Sequence, residues 1–229
     1  MNEEPIIAIV PAAGVGARAR GPQDTDAPKQ YRKLGELSML RLAVRALLAD
    51  PRISEVRVAV SAADEWADDA LAGLPRTRIM RCGGPTRAAT VAGALAADAI
   101  DSRTWVLVHD AARPGLPTDA LARLIQACRT QDRAGLLAWP VSDTVKRGTA
   151  GAVQATVSRD GLWLAQTPQM ARAGVLQAAL DRATADGVEV TDEASALEHA
   201  GWAPLLVRGS VRNFKVTWPE DFELMEKWL

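Results

Sequence analysis

Cysteine, aromatic residues and a surplus of either charge are all scarce in this chain of 229 residues. Its 2 cysteines, Cys82 and Cys128, lie far apart without CxxC or histidine-rich spacing, which argues against a disulfide framework or a zinc site and favours a reducing, cytoplasmic location. A net charge of −1 provides no bulk attraction to nucleic acid or to an anionic membrane. Because no apolar run exceeds a short strand, we predict neither a membrane span nor a secretory signal.

Short apolar runs alternate with segments of helical period along the chain. The runs that predict strands are 6–10, 56–60, 78–82, 105–109 and 135–141. The segments that predict helices are 38–49, 63–72, 87–97 and 119–129, with further ones near 172–185 and 192–199. This alternation predicts an α/β fold with a doubly wound, mostly parallel sheet covered by helices on both faces. We expect one domain over residues 1–229.

Local signals predict where some of these elements begin. Thr118 is a candidate N-cap before an acidic first turn, and the Trp218-Pro219 pair opens the last helix. Residues 213–217 alternate between apolar and polar side chains, which predicts a strand just before that helix.

The alternation of helix and strand stops at about 141–163. Residues 146–151 are typical of a turn, and apolar and polar side chains alternate after them, so we predict a projecting β-arm. Such an arm exposes strand edges that a partner usually covers, which favours an oligomer. Strict alternation places Arg159 on the apolar side with Val153 and Val157, unless a bulge turns it to solvent.

A glycine-containing loop leaves the first predicted strand, at the end where α/β sheets bind ligands. It has Ala19 where a dinucleotide fingerprint needs glycine, and it lacks the pattern of a P-loop. It carries Arg18 instead, and Lys29 follows in a Pro-Lys-Gln segment. We interpret the two cations as a clamp for a triphosphate; the alternative is a tight turn with solvated basic residues.

Charged residues also stand at two later strands. Asp110 and Arg113 follow the strand at 105–109, where they either bind hydroxyl and phosphate groups or pair with each other to stabilise the turn. Lys215 either faces a cleft or is a solvated strand lysine. We interpret His109 as packed scaffold, because no serine or cysteine partner is evident.

Nine short segments follow one another along nearly the whole chain. They are PAAGxGxR at 11–18, PKQ at 28–30, GGxxR at 83–87, HDAARP at 109–114, DTxK at 143–146, VSRDGLW at 157–163, QTPQ at 166–169, TDEAS at 191–195 and KVT at 215–217. Together they resemble the 2-C-methyl-D-erythritol 4-phosphate cytidylyltransferases of the non-mevalonate isoprenoid pathway. The resemblance implies a Rossmann-like nucleotidyltransferase that uses CTP to make 4-diphosphocytidyl-2-C-methyl-D-erythritol and pyrophosphate.

The same resemblance implies roles for individual residues. The catalytic ones would be Arg18, Lys29, Arg159 and Lys215. The nucleotide would be bound by Pro11, Ala12, Ala13, Gly14, Gly16, Gly83, Gly84, Thr90 and Asp110. The acceptor would be bound by Asp110, Arg113, Thr144, Arg159, Thr167, Thr191 and Lys215. Thr144 and Arg159 would reach from the arm into the neighbouring subunit, so the resemblance implies a homodimer with shared sites.

The implied reaction needs few protein groups. The acceptor phosphate is already ionised at neutral pH, so no general base is required, and charge stabilisation dominates. Mg²⁺ would be bound mainly through the triphosphate of CTP, and we assign it no protein ligand.

Two departures and two alternatives stay open. Pro85 stands where the family often carries an acidic residue, and Thr90 where serine is common. One alternative is a cytidylyltransferase for another polyol phosphate, such as ribitol 5-phosphate. Arg159, the TDEAS segment and Lys215 distinguish the methylerythritol phosphate enzymes from that alternative only weakly. The other is a catalytically idle nucleotide-binding dimer, against which the intact Arg18 and Lys29 argue.

Overall fold

The computed structural model describes residues 4–14, 27–98 and 100–229. The strands are β1 (Ile6–Pro11), β2 (Lys33–Leu34), β3 (Leu37–Ser38), β4 (Ile53–Ala59), β5 (Thr77–Met80), β6 (Trp105–Val108), β7 (Gly135–Pro140), β8 (Val145–Thr149), β9 (Ala152–Val157), β10 (Trp163–Arg172) and β11 (Leu205–Arg208). The helices are α1 (Met39–Leu48), α2 (Ala67–Leu71), α3 (Arg87–Ala96), α4 (Thr118–Gln131), α5 (Ala173–Ala185), α6 (Glu193–His199) and α7 (Pro219–Glu226). None of the helices in these ranges has both the length and the apolar character needed to cross a membrane.

Seven strands form one sheet in the order β11-β7-β10-β6-β1-β4-β5, which confirms the doubly wound prediction. β10 runs antiparallel to both of its neighbours, and the other pairs of adjacent strands are parallel. The side chains of the central strand β1 pack against helices on both faces of the sheet. Its residues Ile6, Ala8 and Val10 pack with α1 and α4, while Ile9 packs on the opposite face with α3 and α5. A strand that is apolar on both faces is typical of a buried parallel sheet.

The order of the strands creates a crevice beside β1. The chain passes from β1 to β4 on one side of it and later returns to β6 on the other side. The loops that follow β1 and β6 therefore diverge at their carboxyl ends, which is where sheets of this class bind ligands.

Several elements differ from the sequence prediction. Residues 213–217 do not form a strand: a 3-10 turn ends at Asn213, and the extended segment after it makes a backbone bond from the Val216 N–H to the Ala112 carbonyl at 2.9 Å. The predicted cap Thr118 is instead the first residue of α4, because Pro117 occupies the cap position without a side-chain bond. The strands β10 and β11 were also not predicted from the sequence.

The predicted arm is present as a hairpin that joins β8 to β9. Its turn is formed by Ala150 and Gly151, with φ angles of 51° and 79°, rather than by the whole segment 146–151. This left-handed backbone favours glycine. Most side chains of both strands are exposed, so the hairpin has no face that packs on the other residues that the structure describes.

Candidate active site

A cavity of about 450 Å³ opens at the carboxyl ends of β1 and β6, within the range of ordinary ligand pockets. It combines backbone from three loops with charged side chains. Its lining consists of Pro11, Ala12, Ala13, Gly14, Lys29, Gln30, Met39, Gly84, Pro85, Thr86, Arg87, Thr90, Asp110, Ala111, Ala112, Lys215 and Thr217.

The first wall is the backbone that leaves β1. The predicted nucleotide residues Pro11, Ala12, Ala13 and Gly14 all lie on it. The loop packs closely on Gly83, because a Cβ added there would lie 2.4 Å from the Ala13 Cβ. Gly83 therefore supports this wall from behind and does not line the cavity in the described part of the chain. Gly16 and Arg18 lie outside the described residues.

Lys29 enters the cavity from the 3-10 turn Lys29–Tyr31. Its ammonium group donates a hydrogen bond to the Val216 carbonyl. Gln30 ties the turn to the first wall, since its Nε2 donates to the Ala12 carbonyl at 2.7 Å. The Tyr31 hydroxyl donates to Asp64 at 2.6 Å, and burial together with that carboxylate raises the pKa of Tyr31, so it remains a donor. The lysine is thus held by a turn that is anchored on two sides.

The second wall is the loop between β5 and α3. The Thr90 hydroxyl accepts the Gly84 N–H at 3.1 Å and donates to the Thr86 carbonyl at 2.9 Å. Thr86 in turn caps α3, accepting the Ala89 N–H. Thr90 is 2% exposed, so its hydroxyl serves chiefly to shape this loop. Pro85 lines the cavity, and a proline offers no N–H to a ligand there.

Asp110 is the centre of the charged wall. Its Oδ1 accepts a hydrogen bond from Arg87 at 3.0 Å, and its Oδ2 lies 2.9 Å from the Lys215 ammonium and 3.5 Å from the Arg113 guanidinium. Burial alone raises the pKa of Asp110, but the charges of Arg87, Lys215 and Arg113 outweigh it and hold that pKa far below its usual range. The carboxylate is therefore ionised and already surrounded by cations.

Arg113 and Thr167 lie behind this wall rather than on the cavity lining. Arg113 donates to the carbonyls of Asn213 and Ala165 and pairs with Asp110. Thr167 accepts the Asp110 N–H at 2.9 Å. Both side chains hold Asp110 in place.

His109 is fully buried, as the scaffold interpretation requires. Its Nε2 lies 3.0 Å from the Arg113 carbonyl, which can only accept, so Nε2 carries the proton. Nδ1 then accepts from the Thr167 hydroxyl at 3.0 Å. Burial lowers the pKa of His109 to about 4, which keeps the ring neutral at physiological pH.

The remaining predicted acceptor residues are scattered. Lys215 is 42% exposed and lies on the cavity although its segment is not a strand. Thr191 is exposed and bonds to Ser195 at the start of α6. Thr144 and Arg159 lie exposed at the base of the hairpin, where Arg159 donates to the Ser142 carbonyl, and neither belongs to the cavity lining in the described chain.

Side-chain bonds at the site also involve three residues that had no predicted role in it: Arg87, Glu193 and Gln30. Arg87 stood in the GGxxR segment without a role, and it binds Glu193 through both terminal nitrogens at 2.6 and 3.0 Å. Gln30 stood in the PKQ segment beside Lys29. The sequence signal for Arg87 was its position at the start of a predicted helix. A cation there opposes the helix dipole, so it needs carboxylate partners.

The ligands that the cavity offers to a metal ion are few. Asp110 is the single carboxylate among its lining residues, and cations occupy both of its oxygens. Within the described ranges, no group of three or more histidine, cysteine or acidic side chains is arranged to hold a metal ion. These residues fit a cation that is bound through a nucleotide and water, not one enclosed by protein ligands.

Comparison with known proteins adds to this geometry. The family model described as IspD, 2-C-methyl-D-erythritol 4-phosphate cytidylyltransferase, matches residues 6–229. A protein of that name from Bordetella parapertussis is 67% identical over 226 residues, covering 99% of each chain. One from Chromobacterium violaceum is 50% identical over 220 residues, covering 96% of this chain and 95% of the other. The crystal structure of the Francisella tularensis enzyme of the same name is 35% identical, with a TM-score of 0.84 over 98% of this chain and 100% of that chain.

Proposed function

This chain belongs to the 2-C-methyl-D-erythritol 4-phosphate cytidylyltransferase family and transfers CMP from CTP to that sugar-alcohol phosphate in isoprenoid precursor biosynthesis, and we propose how its described residues do so. The observation that carries the proposal is a single cavity in which a close-packed backbone wall faces Lys29, Lys215 and Asp110. The family match favours this substrate over the ribitol phosphate and idle-binding alternatives.

We place the cytidine of CTP against the backbone of Ala12, Ala13 and Gly84. Support comes from the tight packing at Gly83, which lets main-chain groups rather than side chains form the surface. The Thr90 hydroxyl acts through the loop: by holding the Gly84 N–H and the Thr86 carbonyl, it sets the shape that the base meets.

Lys29 neutralises the triphosphate in this proposal, together with Arg18 of the PAAGxGxR segment. The acceptor phosphate attacks the α-phosphorus in line, its new P–O bond forms as the bond to the pyrophosphate oxygen breaks, and pyrophosphate leaves with that electron pair. Lysine side chains placed before the reaction stabilise the charge that grows on these oxygens. Mg²⁺ would be held through the nucleotide rather than by protein side chains, and it would supply further charge neutralisation.

Acceptor recognition involves two chains in this proposal. Lys215 and Asp110 provide a cation and a carboxylate for a phosphate and hydroxyl groups, with Arg113 and Thr167 holding Asp110. We propose that Thr144 and Arg159 of a second copy complete the site, which requires a homodimer formed through the hairpin. Thr191, exposed at the start of α6, is a further candidate to contact the acceptor. We also propose a cytoplasmic location, consistent with free thiols at both cysteines.

Pyrophosphate release tests the reaction and its alternatives. The assay combines CTP and Mg²⁺ with either 2-C-methyl-D-erythritol 4-phosphate or ribitol 5-phosphate, and uses ATP, GTP and UTP as controls. We expect rapid release with CTP and the methylerythritol phosphate alone. Release with ribitol phosphate alone would replace the acceptor, and no release with either would favour an idle nucleotide-binding protein.

A further inference from the structure

Arg87 has contacts that charge neutralisation of a substrate does not explain. It is the first residue of α3, and its side chain is only 25% exposed. Three of its nitrogens are used: two bind Glu193, and Nε binds Asp110 at 3.0 Å. One guanidinium thus joins two carboxylates that come from α6 and from the loop after β6.

The ion cluster of Arg87, Glu193 and Asp110 carries free-energy costs that make it a poor way to stabilise a fold. A cation at the start of a helix opposes the helix dipole. Glu193 is 2% exposed, so its carboxylate has lost its hydration. The attraction of a cationic partner often does no more than offset that desolvation energy. A buried ion cluster is therefore weak evidence for stability, whereas its fixed geometry is well suited to orienting the groups at its end.

The group at the end of this cluster is Asp110. Arg87 engages Oδ1, and this leaves Oδ2 directed at the ammonium of Lys215, 2.9 Å away. Lys215 is 42% exposed on the cavity. A long, exposed lysine loses its position easily, so a fixed carboxylate oxygen is what places this ammonium.

Glu193 is itself held in position. Gln169, 3% exposed on β10, accepts the Ala194 N–H at 2.7 Å and donates to Asp192 at 2.8 Å. These bonds fix the start of α6 against the sheet, and Glu193 is the first residue of that helix. The bidentate pair with Glu193 then fixes the plane of the Arg87 guanidinium.

We propose that Arg87 is a positioning residue: held by Glu193, it fixes the Asp110 carboxylate and, through it, the Lys215 ammonium for CMP transfer. The inference rests on the proposed function, because it requires that Asp110 and Lys215 serve the reaction. Arg87 acts without touching the reacting atoms.

A double-mutant cycle tests this role. Arg87→Lys keeps the charge but loses the fork that joins both carboxylates, and we expect kcat/KM to fall about 10- to 100-fold, as displacement of a catalytic group by about 1 Å does. In an Asp110→Asn background the same change should cost less than about threefold, because the residue through which it acts is already altered. Arg172→Lys is the matched control, since Arg172 also joins two carboxylates, Glu4 and Asp132, away from the cavity; it should leave kcat/KM unchanged.

The outcomes distinguish a failure of this inference from a failure of the proposed function. An equal loss in both backgrounds, or near-normal activity of Arg87→Lys, would overturn the inference and leave the proposed function standing. Full activity of Asp110→Asn would overturn the role of Asp110 and the inference with it. If Arg87→Lys does not fold, Glu193→Gln takes its place, because it leaves Arg87 and its bond to Asp110; we expect a loss of about 3- to 10-fold that vanishes in the Asp110→Asn background.

Discussion

The cavity and the hairpin position their functional side chains in opposite ways. Around the cavity, Lys29, Asp110 and Lys215 are each bonded to another part of the same chain. On the hairpin, Val153 is 66% exposed and Arg159 donates a hydrogen bond to the Ser142 carbonyl at the base of the same hairpin. Within the described residues, contacts inside one chain therefore position the cavity side chains, whereas in our proposal a second copy positions those of the arm.

The largest expected effect lies on the cavity side. Lys29→Ala removes a cation from the triphosphate, and we expect kcat to fall about 10²- to 10³-fold, as for other losses of preorganised charge stabilisation. Lys33→Ala, an exposed lysine four residues later, is the control and should be neutral. Steady-state pyrophosphate release measures both. Equal rates for the two variants would mean that Lys29 is only structural.

The second prediction concerns the neutral His109 that supports Asp110. Its pKa is lowered to about 4, so between pH 6.5 and 4 the unfolded chain binds a proton that the folded chain does not. The free energy of unfolding should therefore rise with pH in this window, by about 2 kcal/mol from pH 5 to pH 7. Urea unfolding at both pH values measures this dependence.

Two variants separate this effect from other titrations. His109→Gln should remove the dependence, and His199→Gln should keep it, because His199 is partly exposed beside Asp186. An unchanged pH dependence in His109→Gln would contradict the assignment.

The third prediction concerns the proposed sharing of each active site between two subunits. Arg159→Ala should raise the acceptor KM about tenfold, a loss of about 1.4 kcal/mol, while the KM for CTP changes little. Arg147→Ala, an exposed arginine on the same hairpin, is the control. Mixed dimers of Arg159→Ala with inactive Lys29→Ala should regain about half of wild-type activity, since one of the two sites then has both residues. No recovery in verified mixed dimers would break the proposed division between the regions.

The smallest effect should come from the hairpin itself. Val153→Thr should change the free energy of unfolding by less than about 0.5 kcal/mol at concentrations where the chain is monomeric. Val106→Thr, at a fully buried position on β6, should cost about 1 to 3 kcal/mol, because it buries a hydroxyl in the core. Equal costs in urea unfolding would show that the hairpin packs within its own chain.

The sequence predicted the elements whose side chains alternate or repeat in the ordinary way. β1 and α1 are examples, since their apolar residues alone specify what faces the core. β10 escaped prediction because Gln166, Thr167 and Gln169 are buried polar residues, each satisfied by a specific bond that no periodicity reveals. β11, at the edge of the sheet, was also not predicted, and none of its four side chains is buried.

The site residues likewise fall into those that could be predicted from the sequence and those that could not. Residues at strand ends, such as Asp110, could be predicted because parallel strands present them at one edge. The pair Arg87 and Glu193 could not, because 106 positions separate the two residues and only the fold brings them together. Alternation placed Lys215 and Val216 on opposite sides correctly, although the segment is not a strand, because extended backbone alone sets that direction.

The bond from Gln30 to the Ala12 carbonyl has a consequence for nucleotide choice. It couples the wall proposed to meet the base with the turn that carries Lys29. We expect that a base too large for this wall, such as a purine, would displace Ala12 and, through Gln30, would draw Lys29 away from the phosphates. Discrimination against ATP should therefore appear as slower turnover of the bound nucleotide as well as weaker binding, because the wrong base also disturbs the charge stabilisation at the α-phosphorus.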